Sequence, residues 1–574
     1  MSLQIWLPLN GNLNNQGLSE VTSTGGTVND AGIFGKCYAC SSSNYITIQN
    51  TVTDKYDFSF SFWMKVPATL SSVGAWNTML SFRALNTNDN STEASVGINW
   101  ASYNNIKIYD DANHQDIWMA PGNQFNYDKW CHYTITHTGN DSSTTIKVYT
   151  DGILRGTFNN SHRLVLRSGN ILLGSGINPS YGPIYFNDFR LYDHCLSAKE
   201  VKEISKGLIC HYKLDNNGFG NPNILVTQNP SDFSRQGNKY TSKVADTRTN
   251  DHFQLQYFKG STYITTFYSQ DVSATPCNVK TTFTVPENAS GVRVKFDGAR
   301  RDIDLFSSSQ APVTPGETYT LSLRVLSSKS EVVGGIQVEN PKLEKGSVAT
   351  PWCPHTSDSL YTSLGLDSTT ESDCSGYSYN GTLSESLPYA SDSPRYDGCY
   401  YFNSTSKRIT LPAISMSGFS NSFSISWWGK APFYSGLMYW GFSDGNRLNY
   451  YSGMYCNTGD GSNNPYYKPN TTTTVSTPSV DTWHHFVMVG DGSSNKLYMD
   501  GELYGVAKSY KGITGSTIVI NGWDSSTSYK TNGYISDFRI YSTALSASDI
   551  KELYNTAASV DKNGNVYTYE FKEE

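Results

Sequence analysis

Apolar and polar residues alternate strictly from Asp57 along Phe58-Ser59-Phe60-Ser61-Phe62-Trp63, and again from Ser422 along Phe423-Ser424-Ile425-Ser426-Trp427-Trp428. A period of two puts successive side chains on opposite faces, so each run predicts a core strand of an antiparallel sheet. The alternation returns in Asp188-Phe189-Arg190-Leu191 and in Asp537-Phe538-Arg539-Ile540, each followed by a Leu-Ser-Ala step, Leu196-Ser197-Ala198 and Leu545-Ser546-Ala547. A short helix is predicted after each step. Ser197 and Ser546 stand at its N-cap with Glu200 and Asp549 three residues on, a capping box, while Leu196 with Val201 and Leu545 with Ile550 supply a hydrophobic staple.

Other elements recur in the same order. Asp128-Lys129-Trp130-Cys131-His132-Tyr133 matches Asp481-Thr482-Trp483-His484-His485-Phe486, each opening a strand, and Asp151-Gly152 matches Asp500-Gly501 as the tight turn of a hairpin. Asp151 stands 37 positions before Asp188, and Asp500 stands 37 before Asp537; the Leu-Ser-Ala step lies 8 positions further in both. Shared order with shared spacing identifies a duplicated unit.

Composition sharpens the fold class. Aromatics make up 13% of the 574 residues and charged residues only 16%, with 48 glycines, which suits half-buried strands and turns rather than long amphipathic helices. The length allows roughly three to four domains. A net charge of −7 argues against a nucleic-acid partner. No apolar run approaches the roughly 18 to 20 residues that span a bilayer, and the opening Met1-Ser2-Leu3-Gln4-Ile5-Trp6 enters an alternating pattern without a basic region or cleavage site; the expectation is no membrane insertion and no signal peptide. The ten cysteines are then expected as thiols. Cys37 and Cys40 form one Cys-x-x-Cys without the second pair that zinc needs, and a structural role is expected for both.

The strand with Phe-Trp, the strand opened by Trp-x-His, the Tyr149-Thr150-Asp151-Gly152 and Tyr498-Met499-Asp500-Gly501 hairpins and the closing Asp-Phe-Arg strand together resemble the laminin G-like, concanavalin A-like jelly-roll family. That resemblance implies an all-β chain with two antiparallel β-sandwiches, residues 1–206 and 356–556, whose usual work is binding glycans or protein surfaces, with calcium at the rim in some members. Between them, 207–220 reads as the first strand of the second sandwich and a joint, with Leu208 to Asp215 patterned like Gln4 to Asn10. Residues 221–355 read as an inserted β-sandwich across which that strand pairs. The turn Asp373-Cys374-Ser375-Gly376 looks like the one that follows a first strand in the family. The insert resembles carbohydrate-binding-module-like jelly rolls of tailed-bacteriophage tail proteins, through its Leu343-to-Trp352 ending, and Trp6 to Ser19 resembles the start of such proteins. Residues 557–574 read as a hairpin turned at Asn563-Gly564; its glycine stands at the fourth place, where an EF-hand loop needs it sixth.

Catalytic residues are not expected. The chain has no nucleophile elbow, no His-Glu-x-x-His and no phosphate-cradling glycine loop, and no close acidic series of the glycosidase type lies on a predicted strand. Asp188 and Asp537 each have an arginine two residues on along the same face, Arg190 and Arg539, so a structural ion pair is expected. His132 and His485 are expected in or beside the core, and His484 and His485 on opposite faces of one strand. For binding, the informative residues are Tyr439, Trp440, Tyr450, Tyr451, Tyr455, Tyr466 and Tyr467, read as a loop rich in Gly, Asn and Asp, because the apolar face of a pyranose stacks on a ring while its hydroxyls take planar hydrogen bonds. Tyr257, Tyr263 and Tyr268 form a second cluster in the insert. Metal ligands are not assignable.

The expectation is a bacteriophage tail structural or receptor-binding protein of the virion, made in the host cytoplasm, that holds bacterial surface glycan or protein beside other tail proteins; a homo-oligomer is compatible with it, and several weak sites on one particle gain by effective concentration. A polysaccharide-degrading tail enzyme and a bacterial surface adhesin are the alternatives.

Overall fold

The computed structural model describes residues 3–567 apart from 71–77, 87–93, 99–105, 120–125, 175–182, 215–222, 246–251, 359–369, 415–421, 458–462, 523–529, 561–565 and stretches of four residues or fewer. For the strands between 78 and 119, and for 447–450, 456–457 and 463–464, it describes the backbone alone. The chain is nearly all β, and its strands pair antiparallel.

In the first copy one sheet runs, in spatial order, Ile153–Asn160, Thr144–Thr150, Trp130–Gly139, Phe58–Lys65, Ile184–Tyr192, Gly35–Cys40, Thr27–Gly32, with Leu3–Leu7 added on Ile184–Tyr192. A seven-stranded sheet faces it, and Phe58, Phe60, Phe62 and Met64 meet Ile48, Ile171 and Leu173 between the two. The serines of the alternating strand face the other way, yet they are not solvated. Ser59 Oγ donates to His194 O at 2.9 Å and accepts from Leu196 N at 2.9 Å, and Ser424 Oγ does the same with Thr543 O and Leu545 N. Ser59 and Ser424 thus strap down, in each copy, the segment that leads into the helix.

Both helices form as their caps dictate. Ala198–Ile204 and Ala547–Asn555 each begin with a complete capping box from Ser197 with Glu200 and from Ser546 with Asp549. Asp151 and Gly152 take φ of 51° and 76°, Asp500 and Gly501 51° and 81°, the left-handed pair that closes a two-residue hairpin with Thr150 opposite Ile153 and Met499 opposite Glu502.

The second copy contains a strand from before the insert. Leu208–Tyr212 pairs with Gly533–Tyr541 in the register Leu208↔Tyr541, His211↔Arg539, Tyr212↔Phe538, as Leu3–Leu7 pairs in the first copy with Leu3↔Tyr192, Trp6↔Arg190, Leu7↔Phe189. The turn that clamps this strand is also duplicated. Asn15 Oδ1 accepts Trp6 N at 2.7 Å while Gln16 N donates to Trp6 O; Asp373 Oδ1 accepts His211 N at 2.9 Å while Cys374 N donates to His211 O. Strand and clamp are 9 residues apart in the first copy and 162 in the second, so the insert lies between them.

That insert is two five-stranded sheets around its own core, in which Phe253, Val294, Leu321 and Val338 are buried. Its ends meet: Asn223 bridges to His355, and the Asn223 side chain donates to Pro341 O and Cys353 O and accepts from Leu343 N. Trp352 Nε1 donates to Pro341 O, which ties Trp352 to the strand Ile336–Lys345.

The two copies share a hydrophobic cluster. The outward-facing Trp63, with Trp6 and Phe34 of the first copy, joins Ile209, Tyr377 and the interior of the second; Phe34 stacks on Tyr377 at 4.8 Å. At the C-terminal end, Ser559–Val560 pairs with Val566–Tyr567, and the Asn563-Gly564 turn lies outside the described residues.

Candidate binding cleft

The acidic residues most suggestive of chemistry are locked into the fold. Asp188 and Asp537 sit at β-bulges with φ of 52° and 51°, a left-handed conformation that aspartate tolerates better than most residues. The bulge lets each carboxylate reach the arginine two residues on: Arg190 Nε lies 3.0 Å from Asp188 Oδ1, and Arg539 holds Asp537 through Nε at 2.7 Å and Nη2 at 3.1 Å. A third group comes from the first strand, Trp6 Nε1 donating to Asp188 at 2.7 Å and His211 Nε2 meeting Asp537 at 2.9 Å. Burial raises the Asp537 carboxyl, but the Arg539 guanidinium and the His211 hydrogen bond outweigh it and hold the acid well below the usual carboxylate range. Closed from solvent on all sides, the pairs are structural.

The histidines are equally occupied. His132 and His485 are buried at matching positions, each ring against a tryptophan, Trp63 or Trp428. Burial lowers both to about 3, so both are neutral at pH 7. His484 points the other way, bonded to Asp500 and Ser479. Cys37 and Cys40 are buried free thiols, each pushed by burial up to about 12. Among the described residues no group of three or more His, Cys, Asp or Glu could hold a metal ion, so no calcium ligand is assigned.

The tyrosine-rich stretch is a correction to the loop reading. Strands Arg447–Tyr450, Met454–Asn457 and Asn463–Tyr467 carry the chain around one edge of the second sandwich, and Tyr466 pairs with Ala507 of the opposite sheet, so the two sheets form one continuous ribbon. Tyr439, Trp440 and Tyr466 are fully buried: Leu437–Phe442 has core on both faces, and Tyr439 and Trp440 both pack against Trp427. No ligand can stack on them. Tyr455 and Tyr467 are half-buried, the side chain of Tyr450 and all of Tyr451 lying outside the described residues. The insert cluster does not converge. Tyr257 is core, stacked on Phe267 at 3.8 Å, whereas Tyr263 is exposed against Phe258 and so lies on the other face of the sheet; Tyr268 is half-buried and donates to Gln270.

A cleft of about 520 Å³ opens instead between the two copies. Trp63 and Trp130 of the first copy line it, with Lys202, Ser205 and Lys206 from the end of the first helix and Ser546, Ser548 and Asp549 from the start of the second. Its lysines are paired in place: Lys202 bridges the copies to Asp549 at 2.8 Å and Glu552 at 3.3 Å, and Lys206 meets Glu203 at 2.5 Å, while the lining carboxylate of Asp151 accepts His132 N at 2.8 Å. Trp63, 1% exposed, has an indole N–H with no hydrogen-bond partner. Sequence reasoning used Trp63 and Trp130 only to mark strands. The signal it passed over is a tryptophan on the serine side of the alternation, where a large apolar ring has no place unless something covers it.

Residues 41–202 and 403–551, together more than half of the chain, match the family model described as the Concanavalin A-like lectin/glucanases superfamily. The comparison with curated proteins found no match. Among solved structures, similar chains include domain 4 of an extracellular arabinanase from Geobacillus stearothermophilus in complex with arabinotriose, 18% identical, covering 35% of this chain and 97% of that one with a TM-score of 0.27. The binding domain of botulinum neurotoxin serotype D is 14% identical over 59% and 92%, TM-score 0.29. The binding domain of Paraclostridial mosquitocidal protein 1 is 14% identical over 63% and 93%, TM-score 0.28. At these TM-scores the superpositions carry no functional weight.

Proposed function

The chain belongs to the Concanavalin A-like lectin/glucanases superfamily, and from that premise we propose that it is a tail protein of a bacteriophage that attaches to bacterial surface glycan and does not cleave it. The observation that carries the binding half is the duplicated sandwich of a lectin/glucanases superfamily with a cleft between its copies in which the half-buried Trp130 ring lies beside hydroxyls and paired lysines, the mixed lining that small polar ligands require. The tail assignment is supported by Trp6 to Ser19 and by Leu343 to Trp352, the stretches that resemble tail proteins. Binding without cleavage is supported by the fate of the buried carboxylates. Asp188 and Asp537 are held by arginine, Glu203 by Lys206, Glu344 by Lys342, and Glu371 by Leu214 N and Tyr400, which leaves them no freedom to protonate a glycosidic oxygen.

The test is retention of the purified protein on a panel of bacterial surface polysaccharides, read together with release of reducing ends, with and without chelator. Retention without new reducing ends is expected. Release of reducing ends would replace the reading with a depolymerase, and absence of retention on every glycan would leave a protein receptor or a purely structural tail role.

A further inference from the structure

Resting on the glycan-binding reading, we propose that each sandwich carries its own copy of one saccharide site, a Trp-Lys-Tyr row on the outward face of its sheet, and that the row takes an extended acidic glycan whose carboxylates meet the lysine.

Strand register builds the row. Lys65 stands opposite Trp130 on one side and Tyr185 on the other. Their neighbours Met64, Cys131 and Phe186 lie in the core, so by alternation the three side chains share the outward face. Lys65 Nζ lies 5.8 Å from the Trp130 ring centre and 5.0 Å from that of Tyr185. In the second copy Lys430 stands opposite Tyr534 with its Nζ 5.6 Å from that ring, and Trp483 meets the same tyrosine with ring centres 6.2 Å apart. Tyr401 extends this row by one strand, stacked on Tyr534 at 4.6 Å. All these side chains are half-buried, held by the sheet yet within reach of a ligand.

The duplication provides an internal comparison. Exposed positions have diverged between the copies, Lys129 against Thr482 and Ile153 against Glu502, whereas Trp, Lys and Tyr stand at the row in both. Surface positions away from special features tolerate most substitutions, so the shared trio points to a shared task.

Its chemistry selects the ligand. Flat rings receive the C–H faces of sugars, and an ammonium between them is placed for a charge-assisted hydrogen bond to a carboxylate on the same glycan. Other lysines face acids of the protein, Lys202 that of Asp549, Lys206 that of Glu203 and Lys496 that of Asp491. Lys65 touches rings instead and has no carboxylate partner among the described residues. A neutral glycan would stack there but leave the ammonium without a counter-charge. Four adjacent strands at about 4.8 Å make the longer row roughly 14 Å across, which fits a stretch of glycan chain rather than one sugar. Trp130 also lines the cleft, so the first row runs outward from it, and two rows on one chain hold a polymer by effective concentration.

The experiment measures retention of the full chain on the bacterial polysaccharide panel together with polygalacturonate, alginate and hyaluronan, each polymer intact and after reduction of its carboxylates to alcohols, with dextran as the neutral control. At least one uronate-bearing polymer is expected to retain the protein, and its reduced form to do so at least tenfold less. Lys65→Gln with Lys430→Gln should cut that retention at least tenfold at an unchanged urea midpoint, each single substitution should cut it less, and Lys65→Arg with Lys430→Arg should keep it. The reduced polymers test the charge without any variant. Equal retention on intact and reduced polymers overturns the proposal, as does retention on neutral polymers alone. Full retention of the double Gln variant also overturns it, and glycan binding then stands but elsewhere on the molecule. Failure of the native protein to be retained on any glycan removes the parent reading itself.

Discussion

At the scale of single residues, the molecule stores its polar groups by neutralising them. His132, His137, His211 and His485 are buried, and burial lowers them to about 3, 4, 4 and 3. The unfolded chain takes up protons on them near pH 6.5, so their contribution to stability is complete above that pH and is lost as the pH falls from 6.5 towards 4 and 3. Each should remove about 2 kcal/mol between pH 7 and pH 5. Urea unfolding at the two pH values should show that loss in the native protein and a smaller loss in His485→Gln, whatever that variant's stability at pH 7; parallel losses would refute the assignment. The positions of His132 and His485 were legible, because they open matched strands; those of His137 and His211 carried no such signal. The aromatic site was not. Tyrosine beside Gly, Asn and Asp describes a sugar-binding loop and a strand edge equally well, and only the pairing of Tyr466 with Ala507 and the burial of Tyr439 and Trp440 decide between them.

At the scale of elements, the same motif does the same work twice. A strand with serines on its outward face straps the segment before a capped helix, and the helix covers the sheet. Val201 and Ile204 are buried by the first helix, Ile550 and Leu553 by the second. The seven residues of Ala198–Ile204 are far too few to be stable alone, so the cap matters: Ser197→Ala removes the acceptor for Glu200 N and should lower stability by about 1 kcal/mol, seen as a shift in the urea midpoint without change in slope. An unchanged midpoint would mean the serine strap, not the cap, holds the helix. Caps, hairpins and the Asp-Phe-Arg strand could be read from the chain because their determinants are local. What covers the outward face could not, since Trp63 meets residues from the far side of the insert.

At the scale of the whole molecule, the second sandwich is built from two separated pieces of chain. Because Asn223 and His355 sit side by side, replacing residues 224–354 with a short Gly-Ser linker should leave a cooperatively unfolding protein with both sandwiches intact. A fragment of residues 356–574, deprived of Leu208–Tyr212, should fail to fold; folding of that fragment, read by circular dichroism and urea titration, would show that the early strand is dispensable. The separation also has a consequence in time. His211 and Asp537 are 326 positions apart, and at about 5 to 20 residues per second of synthesis the strand around His211 waits roughly 15 to 65 s on the ribosome before its partner exists. For that interval an apolar strand stands unmatched while the insert, complete long before, folds beside it. Nascent chains should therefore pass through a stage with two finished sandwiches and one sticky, half-made sheet, and a chaperone that binds extended apolar segments has most to do on this protein in that window.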